Sequence, residues 1–333
     1  MFGRCKGARG PLGRGAIATI VLAAFAGPSN SQAQTWAERL GYGPGSKVVL
    51  LEAPEAGLTW ETTAAAAKGL ADGAVQSTAL LAPCPWFGPA AEQFRAQPNL
   101  DVGLNVVVTA PYPTYRWRPT LVGFPALSMI DDEGFFWRDP RQVAANARRE
   151  DFERELDAQV ALLLRQGIRP THFWCYQGAV FTRGDLAAAL FRVARKHWIP
   201  VALVDLTPER MLRLRSAGLA VDPAIAQMIE AFPLPKVDDL KFSPSGDTYE
   251  EHRDAFVAQL KGLGPGLTVI HVSPAVETPA LQQIARHWQR HTWDAKMLAD
   301  PAVKEALEAE GLQRTTWREI MRRFDGGPAP AGE

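Results

Sequence analysis

Four stretches of this chain place polar side chains where an α/β protein does its chemistry. "LLEAPEAGLT" (50–59) carries Glu52 and Glu55 around Pro54 and ends in a glycine turn. "NVVVT" (105–109) opens on Asn105, "THFWCY" (171–176) holds His172, Trp174, Cys175 and Tyr176, and "HVSPA" (271–275) brings His271 and Ser273. Each lies at the end of a short apolar run. In a parallel barrel all four would sit at the C-terminal strand ends, where active sites are built, which marks Glu52–Glu55, Cys84–Phe87, Asn105–Thr109, Trp174–Gln177, Asp205 and His271–Ser273 as the candidate site. Glu55 with Glu52, or Glu55 with Asp205, could act as acid and base of a hydrolase. Glycosidase carboxyls lie about 5 Å apart in retaining enzymes and further apart in inverting ones. Such pairs normally come from different strands, whereas Glu52 and Glu55 share one turn, so two solvated loop acids are the plainer account.

A metal asks for more. Zinc-type ions take imidazole, thiolate or carboxylate ligands in threes or fours. The histidines are read as offering no paired motif: His172 and His271 fall on strands, His197, His252, His287 and His291 on exposed helix faces. His271 is read as facing away from Ser273, and His172 as a buried structural histidine facing away from Cys175. Composition therefore argues against a metal site. Cys175 has no neighbouring base and reads as a buried free thiol. The aromatics carry more. Trp86, Phe87, Tyr115, Trp117, Phe135, Phe136, Trp137 and Trp174 gather near the same strand ends, and aromatic faces there suit sugar rings.

The elements that must position these residues alternate. "KVVLLEA" (47–53), "STALLAP" (77–83), "DVGLNVVVT" (101–109), "THFWCY" (171–176), "PVALVD" (200–205) and "TVIHVS" (268–273) predict strands apolar on both faces, as parallel strands are. Helices are predicted over 59–72, 88–96, 140–166, 184–197 and 247–262, the clearest periodicity lying in 151–166. Repeated β-then-α units imply a parallel sheet, here an irregular TIM-like (β/α) barrel in a single domain over 34–325. An insertion at 110–137, rich in aromatics and prolines, reads as a binding loop or lid.

Outside that domain, 326–333 ("GGPAPAGE") reads as a disordered tail. Residues 1–33 read as a signal peptide: Arg4, Lys6, Arg9 and Arg14, then "AIATIVLAAFAG", then "SQA" ending at Ala33. Export to the periplasm or outside the cell is expected, with no membrane span after cleavage. The precursor is formally neutral, and loss of the four leader cations leaves a mildly acidic chain, which argues against nucleic acid as a partner. Cys84 and Cys175 remain, without the spacing of a zinc motif.

In order along the chain, "LADGAVQSTALLAPCPWFGPAAEQF", "PNLDVGLNVVVT", "YRWRP", "LSMIDDEGFF" and "GIRPTHFWCYQG" resemble the YdjC-like carbohydrate deacetylases, particularly a secreted branch with "PCPWF" and "YRW". The resemblance implies an irregular (β/α) barrel that removes N-acetyl groups from sugars with a divalent metal such as zinc or magnesium. It also implies what is missing. Where the family has an Asp-Asp-hydrophobic-Gly turn for base and metal ligand, this chain has Pro54-Glu55-Ala56-Gly57. The family's Gly-Leu-His is Gly103-Leu104-Asn105, its Thr-His-hydrophobic-Asp-Ser-His is "THFWCY" with Trp174 for Asp and Tyr176 for the last His, and its His-Pro-Ala is Ser273-Pro274-Ala275. The resemblance thus implies a degenerate site with no catalytic residue left at Pro54, Glu55 or Ser273 and no resident metal.

The reading that follows is a non-catalytic protein binding a carbohydrate or acetylated sugar. Glu55, Asn105, Tyr176 and Ser273 would supply its hydrogen bonds, and Trp86, Trp117 and Trp174 its stacking surface. A metal-independent hydrolase using Glu55 with Glu52 or Asp205, and a scaffold for a protein partner, stay open beside it.

Overall fold

The computed structural model describes residues 34–121, 127–216 and 221–326. The predicted leader, residues 122–126 of the insertion, and the tail from 327 onward lie outside the described residues. Among those described, no helix is long and apolar enough to cross a membrane.

Among the described residues seven strands make one sheet: β1 (Lys47–Ala56), β2 (Ser77–Leu80), β3 (Val102–Val106), β4 (Phe173–Cys175), β5 (Asp239–Phe242), β6 (Gly266–His271) and β7 (Gln313–Arg314). The order is β4-β3-β2-β1-β6-β5, and β7 pairs with the start of β1. Every pairing is parallel, so each neighbour is reached by a crossover. Helices Trp60–Ala71, Phe87–Arg95, Arg149–Arg165 and Tyr249–Lys261 lie in four of these crossovers. The sheet curls, as in a TIM-like (β/α) fold. Its edges are linked through 201–204, where Val201 bridges Phe173 and Val204 bridges Val237.

Alternation along β1 sorts the core. Val49, Leu51 and Ala53 join the large apolar cluster between sheet and helices. Val48 and Leu50 turn to the concave side with Ala79, Trp174, Leu240, Leu267 and Val269, and Trp36, Leu40, Tyr42, Trp317 and Ile320 complete that second cluster. Covered on both faces, the strands have no polar side to show, which is why they read as near-continuous apolar runs. Each buried Val or Leu contributes about 1.5–3 kcal/mol relative to exposure.

Several predicted elements change. The 200–205 segment makes isolated bridges and no ladder. The strand in its part of the sheet is β5, hidden in sequence by Asp238, Asp239 and Lys241. Asp238 is polar for a tertiary reason: its carboxylate accepts from the amides of Trp36, Ala37 and Leu267. The 140–166 helix is two helices, Pro140–Asn146 and Arg149–Arg165, because Ala147 and Arg148 are extended (ψ 130° and 138°). The break leaves carbonyls without helical partners. The Arg183 guanidinium donates to those of Ala144 (3.1 Å) and Ala147 (2.7 Å).

Candidate functional site

Pro54 has no amide proton and cannot donate to a ladder. The sheet accommodates it with a bulge. The β1–β2 register runs Glu52↔Ser77 and Ala53↔Thr78, then resumes at Ala56↔Leu80. Ala53 and Ala56 both face the helix-side core, although strict alternation would place residues three apart on opposite faces. The extra residue frees Glu55 to turn toward the cavity that it lines. The turn behind it is pinned. Gly57 sits at φ +88°, where a side chain would be strained, and its amide donates to Thr63 Oγ1 (2.9 Å). Thr62 Oγ1 donates to the Glu55 carbonyl (2.8 Å) while Thr59 caps helix Trp60–Ala71.

Glu55, Asn105, Tyr176 and His271 line one cavity of about 330 Å³, joined by Cys175, Gln177 and a set of aliphatic and aromatic side chains. They reach it from the ends of β1, β3, β4 and β6. Asn105 is fully buried. Its Nδ2 donates to the Pro54 carbonyl (2.6 Å), so the bulge and the amide hold each other. Asn105 Oδ1, Glu55 Oε2, Gln177 Oε1 and His271 Nδ1 are all buried without a protein partner.

Gln177, the last residue of the strand-end stretch 174–177 marked from sequence, lines the same cavity. It stands at φ 54°, ψ 11°, followed by Gly178 at φ 62°, a left-handed pair that turns the chain after β4. A non-glycine residue there costs roughly 1–2 kcal/mol. The "QG" pair is the local sequence signal of that turn, beside the strand-end position.

Ser273 does not line this cavity. It lies across His271, in an adjoining cavity of about 180 Å³ that shares His271 and Phe242 with the first. His271 Nε2 and Ser273 Oγ are 2.9 Å apart, which corrects the expectation that they face apart: in an extended chain, residues two apart share a side. The Ser273 amide donates to Asp294 Oδ2 (2.7 Å), and its carbonyl accepts from His291 Nδ1 (2.8 Å). His252, expected on an exposed face, is buried against Asp294 Oδ1 (2.8 Å). His287 and His291 stand four apart at the start of helix Trp288–Leu298, a paired spacing that corrects the reading of the histidines.

Trp86, Trp117 and Trp174 do not border the larger cavity. Trp117 is 3% exposed and packs with Tyr112 and Tyr115, its ring centroid 6.3 Å from that of Tyr176. Trp174 meets His271 edge-on at 5.1 Å within the concave cluster. Trp86 is half-buried at the N-terminus of helix Phe87–Arg95. The insertion turns its aromatics inward, clamped by buried Arg116 on Asp131 (2.5 Å), Glu133 (3.1 Å) and the Phe136 carbonyl (2.6 Å). A larger groove, about 580 Å³, lies between helices Trp60–Ala71 and Trp288–Leu298 and holds none of the predicted site residues.

The carboxylate pairs do not form. Glu52 is fully buried, with Oε1 on His172 Nε2 and Oε2 accepting from Trp317 Nε1 (3.2 Å). The Asp205 carboxylate lies 4.0 Å from Arg39 and does not line the cavity. Burial lowers the His271 imidazole's pKa against the pull of nearby carboxylates, so it stays neutral. Burial, with the Tyr112 hydroxyl and the Glu55 charge, pushes the Tyr176 phenol well up. Cys84 and Cys175 are free thiols, both raised by burial.

Residues 48–309 match the sequence profile described as YdjC-like protein. The chain belongs to the YdjC-like family. A carbohydrate deacetylase of Thermus thermophilus is 33% identical over 288 residues, spanning 85% of this chain and 97% of that protein. One from Geobacillus stearothermophilus is 26% identical over 254 residues, spanning 75% and 89%. Among solved structures, a cellobiose-phosphate cleavage protein from Enterococcus faecalis aligns with a TM-score of 0.66 at 21% identity, over 83% of this chain and 99% of that one. That likeness is one of fold.

The metal implied by the YdjC-like resemblance can be tested against the residues present. Among the described residues, no group of three or more His, Cys, Asp or Glu could hold an ion together. The cavity lining holds two carboxylates, Glu55 and the exposed Asp222 that caps helix Pro223–Ala231, with one imidazole, one thiol, two amides and a phenol. That set does not fit a resident zinc-type ion.

Proposed function

We propose that this YdjC-like chain is an exported carbohydrate-binding protein that does not carry out metal-dependent deacetylation. One observation carries the reading: Glu55 Oε2, Asn105 Oδ1 and Gln177 Oε1 are buried acceptors with no protein donor, and all three residues line one cavity. Leaving a buried acceptor unpaired costs about 1–3 kcal/mol, so such a cluster is matched by a ligand rich in O–H donors. A sugar is such a ligand. Neutral His271 and the neutral Tyr176 phenol can each donate or accept toward it, and at about 330 Å³ the cavity lies at the small end of ligand sites. The set holds a sugar by hydrogen bonds and supplies no metal-activated water, and the second carboxylate on the lining, Asp222, is exposed and occupied in capping the Ala224 amide.

Calorimetry with glucose, N-acetylglucosamine and their disaccharides, beside an acetate-release assay with zinc or magnesium, tests this. Saturable sugar binding that weakens at least tenfold in Asn105→Ala, with no acetate released, is expected. Acetate release at an enzymatic rate would overturn the non-catalytic reading, and absence of sugar binding would overturn the ligand class. Export is tested by fractionating cells that express the full chain, with a mature N-terminus at Gln34 as the expected result. Restoration gives a further test. The variant Pro54→Asp, Glu55→Asp, Asn105→His, Tyr176→His should bind zinc measurably where the natural chain does not. Its affinity should be about 10–100-fold weak because Trp174 offers no supporting hydrogen bond. Equal, negligible binding in both would mean that the mouth has been rebuilt beyond the family's geometry.

A further inference from the structure

We propose that the ligand of the 330 Å³ cavity is amphiphilic: a sugar ring carrying an apolar aglycone, an alkyl or prenyl chain. The inference rests on the sugar-binding reading above and extends it. The cavity's lining divides by chain element. Polar groups come from the strand ends: Glu55, Asn105, Gln177 and His271. Apolar groups come from the opposite part of the chain: Leu203 and Leu206 in and after the 201–204 bridges, Ile225 and Ile229 from helix Pro223–Ala231, and Leu240 and Phe242 from β5; the polar residue on this side, Asp222, is exposed and caps the Ala224 amide.

The unpartnered acceptors obey the same division. Glu55 Oε2, Asn105 Oδ1 and Gln177 Oε1 all belong to the polar side. A free sugar carries hydroxyls around its whole ring. Those turned to Ile225, Ile229 and Leu206 would lose water and find no partner, at a cost comparable to that of the orphaned acceptors. A second sugar unit would place more hydroxyls there. A ring whose anomeric substituent is a hydrocarbon removes the mismatch, since its hydroxyls meet the acceptors and its chain meets the aliphatic side chains. The aromatic residues of the insertion pack on one another and on Tyr176, so they do not offer the open stacking platform that an extended polysaccharide would use.

The test is a chain-length series. N-acetylglucosamine and its methyl, butyl, hexyl and octyl β-glycosides, each below its micellar concentration, are titrated into the mature protein by calorimetry. Each methylene should tighten binding by up to about fourfold until the cavity is filled. Leu206→Gln, at a half-buried position, should flatten the series, weakening the octyl glycoside at least tenfold more than the methyl glycoside. Ile229→Ser should do the same, with circular dichroism showing that it folds. Asn105→Ala should weaken the methyl and octyl glycosides equally. Sugar binding that is indifferent to chain length overturns this proposal and leaves the sugar site standing. Octyl glycoside binding indifferent to Asn105→Ala and Gln177→Ala means a plain lipid pocket, which overturns the sugar reading and this proposal together. No binding by any member of the series overturns both.

Discussion

Two polar clusters share the concave side of the same sheet and follow opposite rules. The deeper one centres on Glu52 and His172, the one at the mouth on Glu55 and Asn105. In the deeper cluster every side chain is answered. Glu52 takes His172 and Trp317, and Asp101 accepts from Ser77 Oγ (2.8 Å), Thr171 Oγ1 (2.7 Å) and the Arg318 amide (2.8 Å). The His172 ring stacks on Trp317 at 5.0 Å. Burial alone would hold His172 neutral, but the Glu52 and Asp101 carboxylates outweigh it and raise its pKa to about 9. At the mouth, three acceptors of the same kind are left without protein partners. The Glu52 and His172 bonds are closed within the fold, whereas Glu55, Asn105 and Gln177 turn their open acceptors to the cavity. Here two carboxylates on one strand, Glu52 and Glu55, differ in role by whether their bonds are closed.

The largest expected effect breaks the first cluster. Glu52→Ala or His172→Ala strands a buried charge and should cost about 3–5 kcal/mol in urea unfolding, whereas Glu55→Gln should stay within about 1 kcal/mol. Equal losses at both sites would erase the distinction. Gly103→Ala comes next. A Cβ there would stand 2.3 Å from His172 Cε1, and the ring cannot retreat because Glu52 and Trp317 fix it. A loss of about 1–3 kcal/mol is expected, and a double-mutant cycle with His172→Ala should recover most of it. Additive losses would show that the crowding lies elsewhere.

The pH dependence sharpens the same contrast. The folded pKa of His172 lies above its unfolded value of about 6.5, so its stabilisation is complete below that pH and is lost as pH rises through about 9. The urea midpoint should therefore fall between pH 7 and pH 10 in the natural protein and change less in His172→Gln. Identical slopes would remove the imidazolium from the deeper cluster. The smallest effect is at the mouth. Gln177→Gly relieves a left-handed residue and should raise stability by about 1 kcal/mol, while weakening sugar binding by removing an acceptor. A gain with binding intact would show that Gln177 is only a turn residue.

Much of the fold was legible. The runs at 47–53, 77–83, 101–109, 171–176 and 268–273 each contain or overlap a strand of the sheet, because parallel strands buried on both faces leave an apolar signature that needs no partner to be read. β5 was not legible, since Asp238, Asp239 and Lys241 look like surface until Asp238 is seen receiving three amides from elsewhere in the chain. At the site, sequence brought Glu55, Asn105 and Tyr176 forward, and the structure places all three around one cavity. Gln177 and His271 were marked only by their strand-end positions: the left-handed backbone of Gln177 has no side-chain signature, and the side of His271 relative to Ser273 was misjudged by one step of alternation.

By itself, then, the sequence determined the alternation of strands and helices, the family motifs at the strand ends, and Pro54 in the middle of β1. Those follow from local chemistry: apolar periodicity, turn glycines and a missing amide proton. The tertiary structure alone decided which polar groups are closed and which stay open. Glu52 and Glu55 are three residues apart, yet one is sealed by His172 and Trp317 and the other is turned to the cavity by the bulge that Pro54 requires. That outcome depends on partners 120 and 265 residues away, and no pattern within the strand encodes them.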